Sequence, residues 1–378
     1  MQSRSLTKLM WFAESVLVLF ILVSFVSAQT SDNQAPESKS WTTTTESHTA
    51  DANPTRTTES HRESGKDSVD SQTVERLGPD GHFEPYFDIE KESIQVNDTT
   101  IRTVERTFAR DESGHKILKQ VTEEEKRSLP AGQENVVRTT SNADLDGHLQ
   151  LMQREVSDIR RVSPDLQEKK TTVFMSDGAG GMAPSIQNQQ SEKRSGDQVE
   201  VQESTLVLDG GGNWQVHERK ESTIEKEGKE RTTEERLWRE GSDGKLALVS
   251  RTLGKDSETA ASEKRETAET YSADVIGSAP DGKLHLSQRL TVVNQKPVDR
   301  AQTTEQLLEK LDPGDPGAGL RVTTKTIDIV QPDASGTRET RTVEVQNASG
   351  SFEVVSVDTQ RSDNIHSKDV VITPQNKP

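Results

Sequence analysis

A glycine turn recurs nine times along this chain, and an extended stretch with alternating side chains follows most copies. The clearest copies read Asp146-Gly147-His148-Leu149-Gln150-Leu151, Asp243-Gly244-Lys245-Leu246-Ala247-Leu248 and Asp281-Gly282-Lys283-Leu284-His285-Leu286. The related copies are anchored at Gly81, Gly114, Gly181, Gly212, Gly319 and Gly350. Successive anchor glycines lie 31 to 38 residues apart. A period of this size predicts an array of one repeated supersecondary unit.

Each repeat is predicted to be a long antiparallel hairpin. In the copy at Gly244, Leu246 and Leu248 alternate with Ala247 and Val249, as they would on the two faces of a strand. Residues 215–240 read as two strands joined by a turn around Gly228. Apolar residues gather near the Asp-Gly end of this hairpin, while the far end is charged and rich in Thr. The hairpin is therefore expected to be apolar at one end and solvated at the other.

One segment tests this interpretation. Residues 303–311 contain good helix formers and a capping-box pattern from Thr303 to Gln306, so local propensity predicts a helix. The repeat predicts a strand there, because residues 232–238 occupy the comparable place in their own repeat. Propensity is weak against context, and we therefore predict a strand.

The predicted fold is all-β: an elongated antiparallel meander of about nine hairpin repeats, forming either a single twisted sheet or a thin sandwich. The expected organisation is a signal peptide at 1–28, a disordered Ser/Thr-rich linker at 29–70, the hairpin array at 71–363, and an edge strand with a polar tail at 364–378. Val370, Val371 and Ile372 would form that edge strand.

The amino terminus predicts export. Arg4 and Lys8 precede a mostly apolar run from Leu9 to Val26, and small residues follow up to Ala28. This order is typical of a secretory signal peptide, with cleavage after Ala28. Glu14 leaves an uncharged stretch of 12 residues, which is short for a membrane span. An uncleaved signal anchor is the alternative, and no membrane span is expected after cleavage.

Composition limits both the core and the partners. Only 29% of the residues are hydrophobic and 4% are aromatic, which argues against a thick globular core. The net charge of −17 opposes nonspecific binding to nucleic acid. The chain has no cysteine, which excludes disulfides, thiolate zinc sites and a cysteine nucleophile. The remaining choice is between disorder and a thin structure held by backbone pairing, and the regular turns favour the second.

Candidate metal ligands are few. His82, His115 and His148 each follow an anchor glycine, and stacked repeats would set them in a row. Two strands per repeat would separate equivalent residues by about 9.6 Å, too far for one shared ion. Residues 142–147 resemble the first half of a calcium loop, but Gln153 stands where an EF-hand needs Glu. Polar turns explain both patterns, so no metal and no cofactor is predicted.

No catalytic or nucleotide-binding motif occurs in the sequence, so no catalytic or cofactor-binding residue is assigned. Trp214 and Trp238 could stack on a carbohydrate, but both are more typical of apolar anchors. The sequence thus predicts a non-enzymatic, exported scaffold, secreted or periplasmic, that binds an envelope protein or a polysaccharide. The alternatives are a glycan-active enzyme and a signal-anchored assembly factor that pairs its open sheet edge with a partner strand. The sequence leaves the oligomeric state open.

Overall fold

A computed structural model describes residues 38–363 except for 50–52, 112, 261–262, 274–282, 297–300, 313–314, 334–335 and 348. The chain divides into two units, 1–36 and 37–378. The predicted signal peptide and the predicted edge strand at 370–372 both lie outside the described residues. No helix that is long and apolar enough to cross a membrane occurs in the described part of the chain.

The described residues form one antiparallel sheet of 20 strands. The strands are β1 Ser38–Thr49, β2 Thr55–Ser64, β3 Asp67–Leu77, β4 Phe83–Asn97, β5 Thr100–Arg110, β6 Lys116–Leu129, β7 Gln133–Ala143, β8 Leu149–Ser163, β9 Leu166–Ser176, β10 Met182–Ser195, β11 Gln198–Leu208, β12 Trp214–Glu227, β13 Glu230–Glu240, β14 Leu246–Ala260, β15 Glu263–Ser272, β16 His285–Gln295, β17 Gln302–Leu311, β18 Leu320–Asp333, β19 Gly336–Gln346 and β20 Phe352–Asp363. Single 3-10 turns lie at Pro130–Gly132 and Pro316–Ala318.

The sheet closes on itself. Each strand pairs with its neighbours in sequence, and β1 also pairs with β20 from Thr42↔Asp363 to Thr49↔Ser356. The all-β antiparallel prediction is confirmed, but the open meander and the thin sandwich are wrong because this seam makes a 20-stranded barrel. Closure pairs the backbone groups that an open sheet would leave unpaired on its two edge strands.

The ring also includes residues that the sequence assigned to a linker. β1 and β2 lie within 29–70, the segment that we expected to be disordered. Their side chains are mostly Thr, Ser and Glu, so they offer little apolar burial, and the strands are instead held by ladders to β3 and β20. The contested segment 303–311 lies in β17, which confirms the strand prediction over local helix propensity.

The two ends of the barrel carry different turns. At one end the hairpins close through short turns such as Gly65-Lys66 and Gly228-Lys229, whose glycines have positive φ. At the other end lie the longer connections that contain the anchor glycines, of which Gly282 lies outside the described residues, and we call these the glycine loops. Odd-numbered strands from β3 onward enter them and even-numbered strands leave them. The regular spacing of the anchor glycines in the sequence thus marks one end of the barrel.

Every glycine-loop hairpin contains one β-bulge in its returning strand. The ladder skips one residue there, in most hairpins five positions after the anchor glycine: Tyr86, Lys119, Met152, Ser185, His217, Val249, Ser287, Thr323 and Val355. The irregular turn at 177–184 is also followed by a bulge, which lies at Ser185, four positions after Gly181. A bulge bends the strand and increases its local twist, which helps a sheet to curve.

The barrel wall has no conventional core. Among the described residues, Leu206 is the one hydrophobic residue that is buried, and the other buried residues are polar: Thr43, Asp88, Thr122, Ser157, Gln187, Thr291 and Asp328. The ladder registers place these residues on both faces of the wall. Backbone pairing and short-range contacts along the wall therefore hold the structure together, as the low apolar content predicts.

Candidate functional site: an apolar belt beside a row of cations

Apolar side chains form a belt around one face of the wall, next to the glycine loops. Residues that pair directly across a ladder share a face, and the pairs Leu208↔Trp214 and Leu206↔Val216 alternate with Val207↔Gln215. Equivalent positions in the other glycine-loop hairpins extend the same two rows. We call these residues the apolar belt: Leu77, Phe83, Pro85, Phe108, Leu118, Leu149, Leu151, Phe174, Met182, Pro184, Leu206, Leu208, Trp214, Val216, Trp238, Leu246, Leu248, Tyr271, Leu286, Leu311, Leu320, Val322, Phe352 and Val354.

The belt is short along the strand direction, and part of it is exposed to solvent. Its two rows of side chains are about 10 Å tall, given a rise of about 3.4 Å per residue. The pair Arg110↔Lys116 and four glutamates interrupt it, and the hairpin of β1 and β2 does not contribute. Leu151 and Val354 expose 40% and 52% of their surface. The protein therefore leaves part of this apolar surface uncovered.

The next row on the same face, away from the glycine loops, is rich in cations. We call these residues the cationic row: Arg106, Arg154, Arg219, Arg236, Arg251, Arg289 and Lys325. Asp88 and Glu269 are the acidic residues in the same row of the glycine-loop hairpins. Seven cations against two acids is an unusual balance in a chain whose net charge is −17. One face of the barrel thus places positive charge directly beside apolar surface.

The cationic row is most concentrated between β12 and β14. Arg236 lies directly opposite Arg251 in the ladder, and both donate hydrogen bonds to Glu234, at 2.7 and 2.8 Å. Desolvation raises the pKa of Glu234, but hydrogen bonds and charge from the two arginines outweigh it and lower that pKa below its ordinary value. Arg219 pairs with Glu221, and its guanidinium lies 5.7 Å from the Trp238 ring. Three cations here share two carboxylates.

The glycine loops form an acidic rim on the other side of the belt. Asp111, Asp144, Asp177, Asp209 and Asn347 begin five of these loops, and the Oδ1 atom of each accepts the N–H groups of the residues two and four positions later. In the Asp209 loop the N–H of Asn213 is the largest of the contacts that lower the pKa of this carboxyl group. These aspartates hold the turns closed, and they surround the belt with negative charge.

The predicted histidine row falls on these loops. His115 and His148 lie at exposed loop ends, with their Nδ1 atoms 3.3 and 3.7 Å from Asp111 and Asp144. The structure brings Asp144, Asp146 and His148 together, with candidate ligand atoms within 4.8 Å of one another. Sequence reasoning considered the acidic half of this cluster and the histidine separately. All three residues are exposed, and Asp144 already serves the Asx turn. The absence of a metal site stays a prediction.

The two tryptophans singled out in the sequence belong to the belt. Trp214 pairs with Leu208, and Trp238 pairs with Leu248 on one side and Arg219 on the other. The sequence suggested the apolar clustering near the Asp-Gly end, but it did not show the cationic row. That row depends on the bulges, which change the alternation of faces and were not visible in the sequence.

Open grooves elsewhere on the wall are lined by charged residues. The larger has a volume of about 500 Å³ and is lined by side chains that include Asp158, Arg160, Glu168 and Lys170. A second groove of about 330 Å³ lies near the short turns at Asp197 and Glu227. Neither groove combines apolar walls with convergent polar groups, the usual arrangement of a small-molecule site.

No family model matches this sequence. No curated protein matches it either. Among solved structures, the chain is similar to Pseudomonas aeruginosa OccK2 (OpdF) in complex with glucuronate, at 10% identity and a TM-score of 0.46 over 87% of this chain and 96% of that one. It is also similar to the FrpB iron transporter of Neisseria meningitidis, at 7% identity and a TM-score of 0.42 over 85% and 74%. A third similar structure is the copper transporter OprC, at 6% identity and 0.40 over 88% and 81%.

Closure of the sheet corrects the function expected from the sequence. The prediction of an open repeat scaffold for adhesion is wrong because the hairpins form one closed ring. The assembly factor is also wrong, since β1 and β20 pair with each other and leave no free edge between them. The alternative of a glycan-active enzyme is not supported either, because neither groove described above has the apolar lining of a substrate cleft. The TM-scores are all below 0.5, so the function proposed below rests on the geometry of this chain.

Proposed function

We propose that the chain is an exported transport protein of the cell envelope that carries small amphiphilic molecules on its apolar belt. The observation that carries this proposal is the belt itself, an extended, partly exposed apolar surface beside a row of cations. A molecule with an apolar tail and a polar head matches both surfaces. Burial of the tail would gain roughly 25 cal/mol for each Å² of apolar surface removed from water.

The predicted signal peptide supports an envelope location. Arg4 and Lys8 before the apolar run, together with cleavage after Ala28, are expected to direct the chain out of the cytoplasm.

The height of the belt favours carriage over membrane crossing. A membrane-spanning barrel has an outer apolar band about 25 Å tall, whereas two rows give about 10 Å. Below the belt both faces carry charges, including Arg138 and Lys169 on one face and Arg154 and Lys170 on the other. A lysine or arginine on a lipid-facing wall costs about 2–4 kcal/mol at the bilayer midplane. Most of the wall is thus suited to water.

A transfer assay tests the proposal. The purified mature chain should accelerate the movement of a fluorescent fatty acid from donor to acceptor vesicles, in proportion to protein concentration. Leu248→Asp places a charge in the belt and should reduce the rate severalfold. Ala247→Asp is the matched control, because Ala247 is the adjacent residue on the opposite face and is exposed. The proposal fails if the chain does not accelerate transfer, or if both variants behave alike.

The closed ring favours a second candidate, a water-filled path for polar solutes. Twenty strands spaced about 4.8 Å apart and tilted about 40° enclose a backbone ring on the order of 40 Å across. Barrels of 16–18 strands already leave an aqueous channel. Stepwise conductance in a planar bilayer, with no acceleration of fatty-acid transfer, would favour this candidate over carriage.

A further inference from the structure

We propose that the patch formed by β11 to β14 binds the anionic head and the first part of the acyl chain of a single-chain amphiphile. The chain would lie on Leu206, Val216, Trp238 and Leu248, and the head group would meet Arg219, Arg236 and Arg251. This inference rests on the proposed carriage function and goes further, because it names the charge of the cargo and the arginines that recognise it.

The ladder places both halves of the patch on one face. Leu206↔Val216 and Ser204↔Arg219 are successive pairs on that face, since the bulge at His217 lies between Val216 and Arg219. Arg219 pairs with Trp238 across β12 and β13, so Trp238 shares the face.

The same relation holds in the next hairpin. Trp238↔Leu248 and Arg236↔Arg251 are successive pairs on the same face, on either side of the bulge at Val249. Head-group and chain contacts would thus lie about 7 Å apart, which is two residues along a strand. This spacing matches the distance from an acid group to the first few carbons of its chain.

The apolar half of the patch is only partly covered by the protein. Leu206 is 8% exposed, whereas Val216, directly opposite, is 36% exposed. Trp238 contacts the Arg219 guanidinium at a distance that permits a cation–π interaction. A chain laid across this surface would cover Val216 and contact the half-buried Trp238.

Charge complementarity identifies the head group as an anion. Arg236 and Arg251 are like charges directly opposite each other, an arrangement that is destabilising in a sheet unless an anion lies between them. Glu234 accepts from both, and Glu221 accepts from Arg219, which leaves one positive charge in excess among these five side chains. The three arginine side chains are 41%, 46% and 43% exposed, so a carboxylate from solution can reach them.

A single molecule fits the belt better than a bilayer surface does. The belt is about 10 Å tall, and a membrane that covered it would also have to receive the acidic glycine loops. In the two nearest loops these acids are Asp209 and Asp243. A charged side chain is costly to place at the bilayer centre. A chain lying along the belt leaves the loop carboxylates in water.

Tryptophan quenching by a brominated fatty acid tests the inference. The mature chain with Trp41→Phe retains Trp214 and Trp238, both in the belt. Dibromostearate, added below its micelle concentration, should quench their fluorescence saturably. Arg236→Gln with Arg251→Gln should weaken the apparent affinity about tenfold, the effect of losing about 1.4 kcal/mol of binding energy.

Two matched variants separate charge from fold. Arg236→Lys with Arg251→Lys preserves both charges and should retain most of the affinity. Arg160→Gln removes an exposed, ion-paired arginine on the same face but remote from the belt, and should change nothing. Circular dichroism of each variant confirms that the barrel is intact. Equal affinity of the Arg236→Gln/Arg251→Gln variant and the Arg236→Lys/Arg251→Lys variant would overturn the inference.

Two further arms fix the chemistry of the ligand. Dibromostearyl alcohol has the same chain without the charge and should bind at least tenfold more weakly, with tenfold corresponding to about 1.4 kcal/mol. Stronger quenching by brominated anionic phospholipid in vesicles than by the free acid would show a membrane surface instead and overturn the inference. If the Arg236→Gln/Arg251→Gln variant retains both fatty-acid transfer and the parent's affinity, the carriage function is supported but the arginine site is wrong. If the chain accelerates no transfer, the proposed function itself fails.

Discussion

Single aspartates hold the glycine loops closed. The Oδ1 atom of Asp209 accepts the N–H groups of Gly211 and Asn213, both at 2.8 Å, and its Oδ2 atom accepts from Gln215 at 3.0 Å. The equivalent residue in the last loop is Asn347, which accepts the corresponding bonds with its amide oxygen. The loop thus needs an acceptor at this position, and either a carboxylate or an amide provides it.

We predict that Asp209→Ala lowers the melting temperature by a few degrees, because two loop amides lose their acceptor. Asp209→Asn is the control and should melt close to the parent at neutral pH. Circular dichroism melts of the three proteins measure the effect. Equal melting of the alanine and asparagine variants would show that the carboxyl group does not hold the loop.

The comparison of the parent with Asp209→Asn also predicts a pH dependence of stability. Hydrogen bonds from the loop amides lower the pKa of Asp209 in the folded chain, so the carboxylate stabilises the fold above the ordinary Asp pKa of about 3.9. This contribution is lost as the pH falls through the lowered value. The parent should therefore lose stability relative to Asp209→Asn only below about pH 4. A constant difference from pH 7 to pH 2 would contradict the assignment.

Asp88 is a buried charge with several partners. Its side chain is 5% exposed, lies 2.7 Å from Arg110, and accepts from Thr73 at 2.9 Å. Asp88→Ala leaves those donors without their acceptor and should lower the free energy of unfolding by about 1–3 kcal/mol. Glu168→Ala is the control: it removes an exposed partner of Arg160 and should cost less than about 1 kcal/mol. Urea denaturation distinguishes the two, and equal losses would contradict the role of burial.

At the scale of the element, the hairpin depends on a glycine in the left-handed region. Gly147 has a φ of 83°, and a Cβ atom added there would meet nothing within 4 Å. The cost of replacing it therefore comes from the backbone alone. Gly254 differs: it lies inside β14 without a positive φ, and a Cβ atom there would be in ordinary contact with Thr233.

We predict that Gly147→Ala lowers the free energy of unfolding by about 1–2 kcal/mol, the cost of the left-handed conformation for an alanine. Gly147→Asn should cost less, since asparagine tolerates this region. Gly254→Ala should be neutral or stabilising by up to about 1 kcal/mol, because glycine weakens a strand interior. Chemical denaturation of the three variants checks the order. A loss at Gly254 larger than that at Gly147 would contradict it.

The elements were largely readable from the sequence, but their bulges were not. Alternation at Leu246 and Leu248 correctly indicated a strand, and the repeat correctly placed a strand at 303–311 against local propensity. The extra residue at Val249 has no distinctive side chain, since the nine bulge positions hold Tyr, Lys, Met, Ser, His, Val and Thr. Because the bulges decide which residues share a face, the cationic row could not be recognised from the positions of its arginines in the sequence.

For the molecule as a whole, closure is the property that sequence reasoning missed. β1 and β2 contain hardly any apolar residues, so the composition of 29–70 resembled a linker. Their place in the ring is set by backbone pairing with β3 and β20, which leaves little trace in side-chain chemistry. The sequence predicted the apolar end of each hairpin. It did not predict that these ends form a ring, because that depends on the pairing of the last strand with the first.

Introduced cysteines can test the seam, because the chain has none of its own. Thr45 and Gln360 are direct partners across β1 and β20. Partners in an antiparallel ladder have Cα atoms about 4.5–5.5 Å apart, within the range that a disulfide bridges. Thr45→Cys with Gln360→Cys should form an intramolecular disulfide under mild oxidation. Thr45→Cys with Thr340→Cys is the control, since Thr340 lies on β19, one strand further away.

Oxidation should raise the melting temperature of the Thr45→Cys/Gln360→Cys variant, because the disulfide links the first and last strands and restricts the unfolded chain. Gel mobility under non-reducing conditions detects the bridge, and thermal melts measure its effect. A mixture of dimers without the monomeric crosslinked form would show an open sheet and refute the barrel.

The pairing of Thr42 with Asp363 also sets the order in which the molecule can be completed. All other ladders join neighbours in sequence, so they can form one after another along the chain. The final ladder must wait until the last strand has been synthesised. Until then the growing sheet exposes two unpaired borders, and its assembly is most vulnerable to aggregation just before the circle is complete.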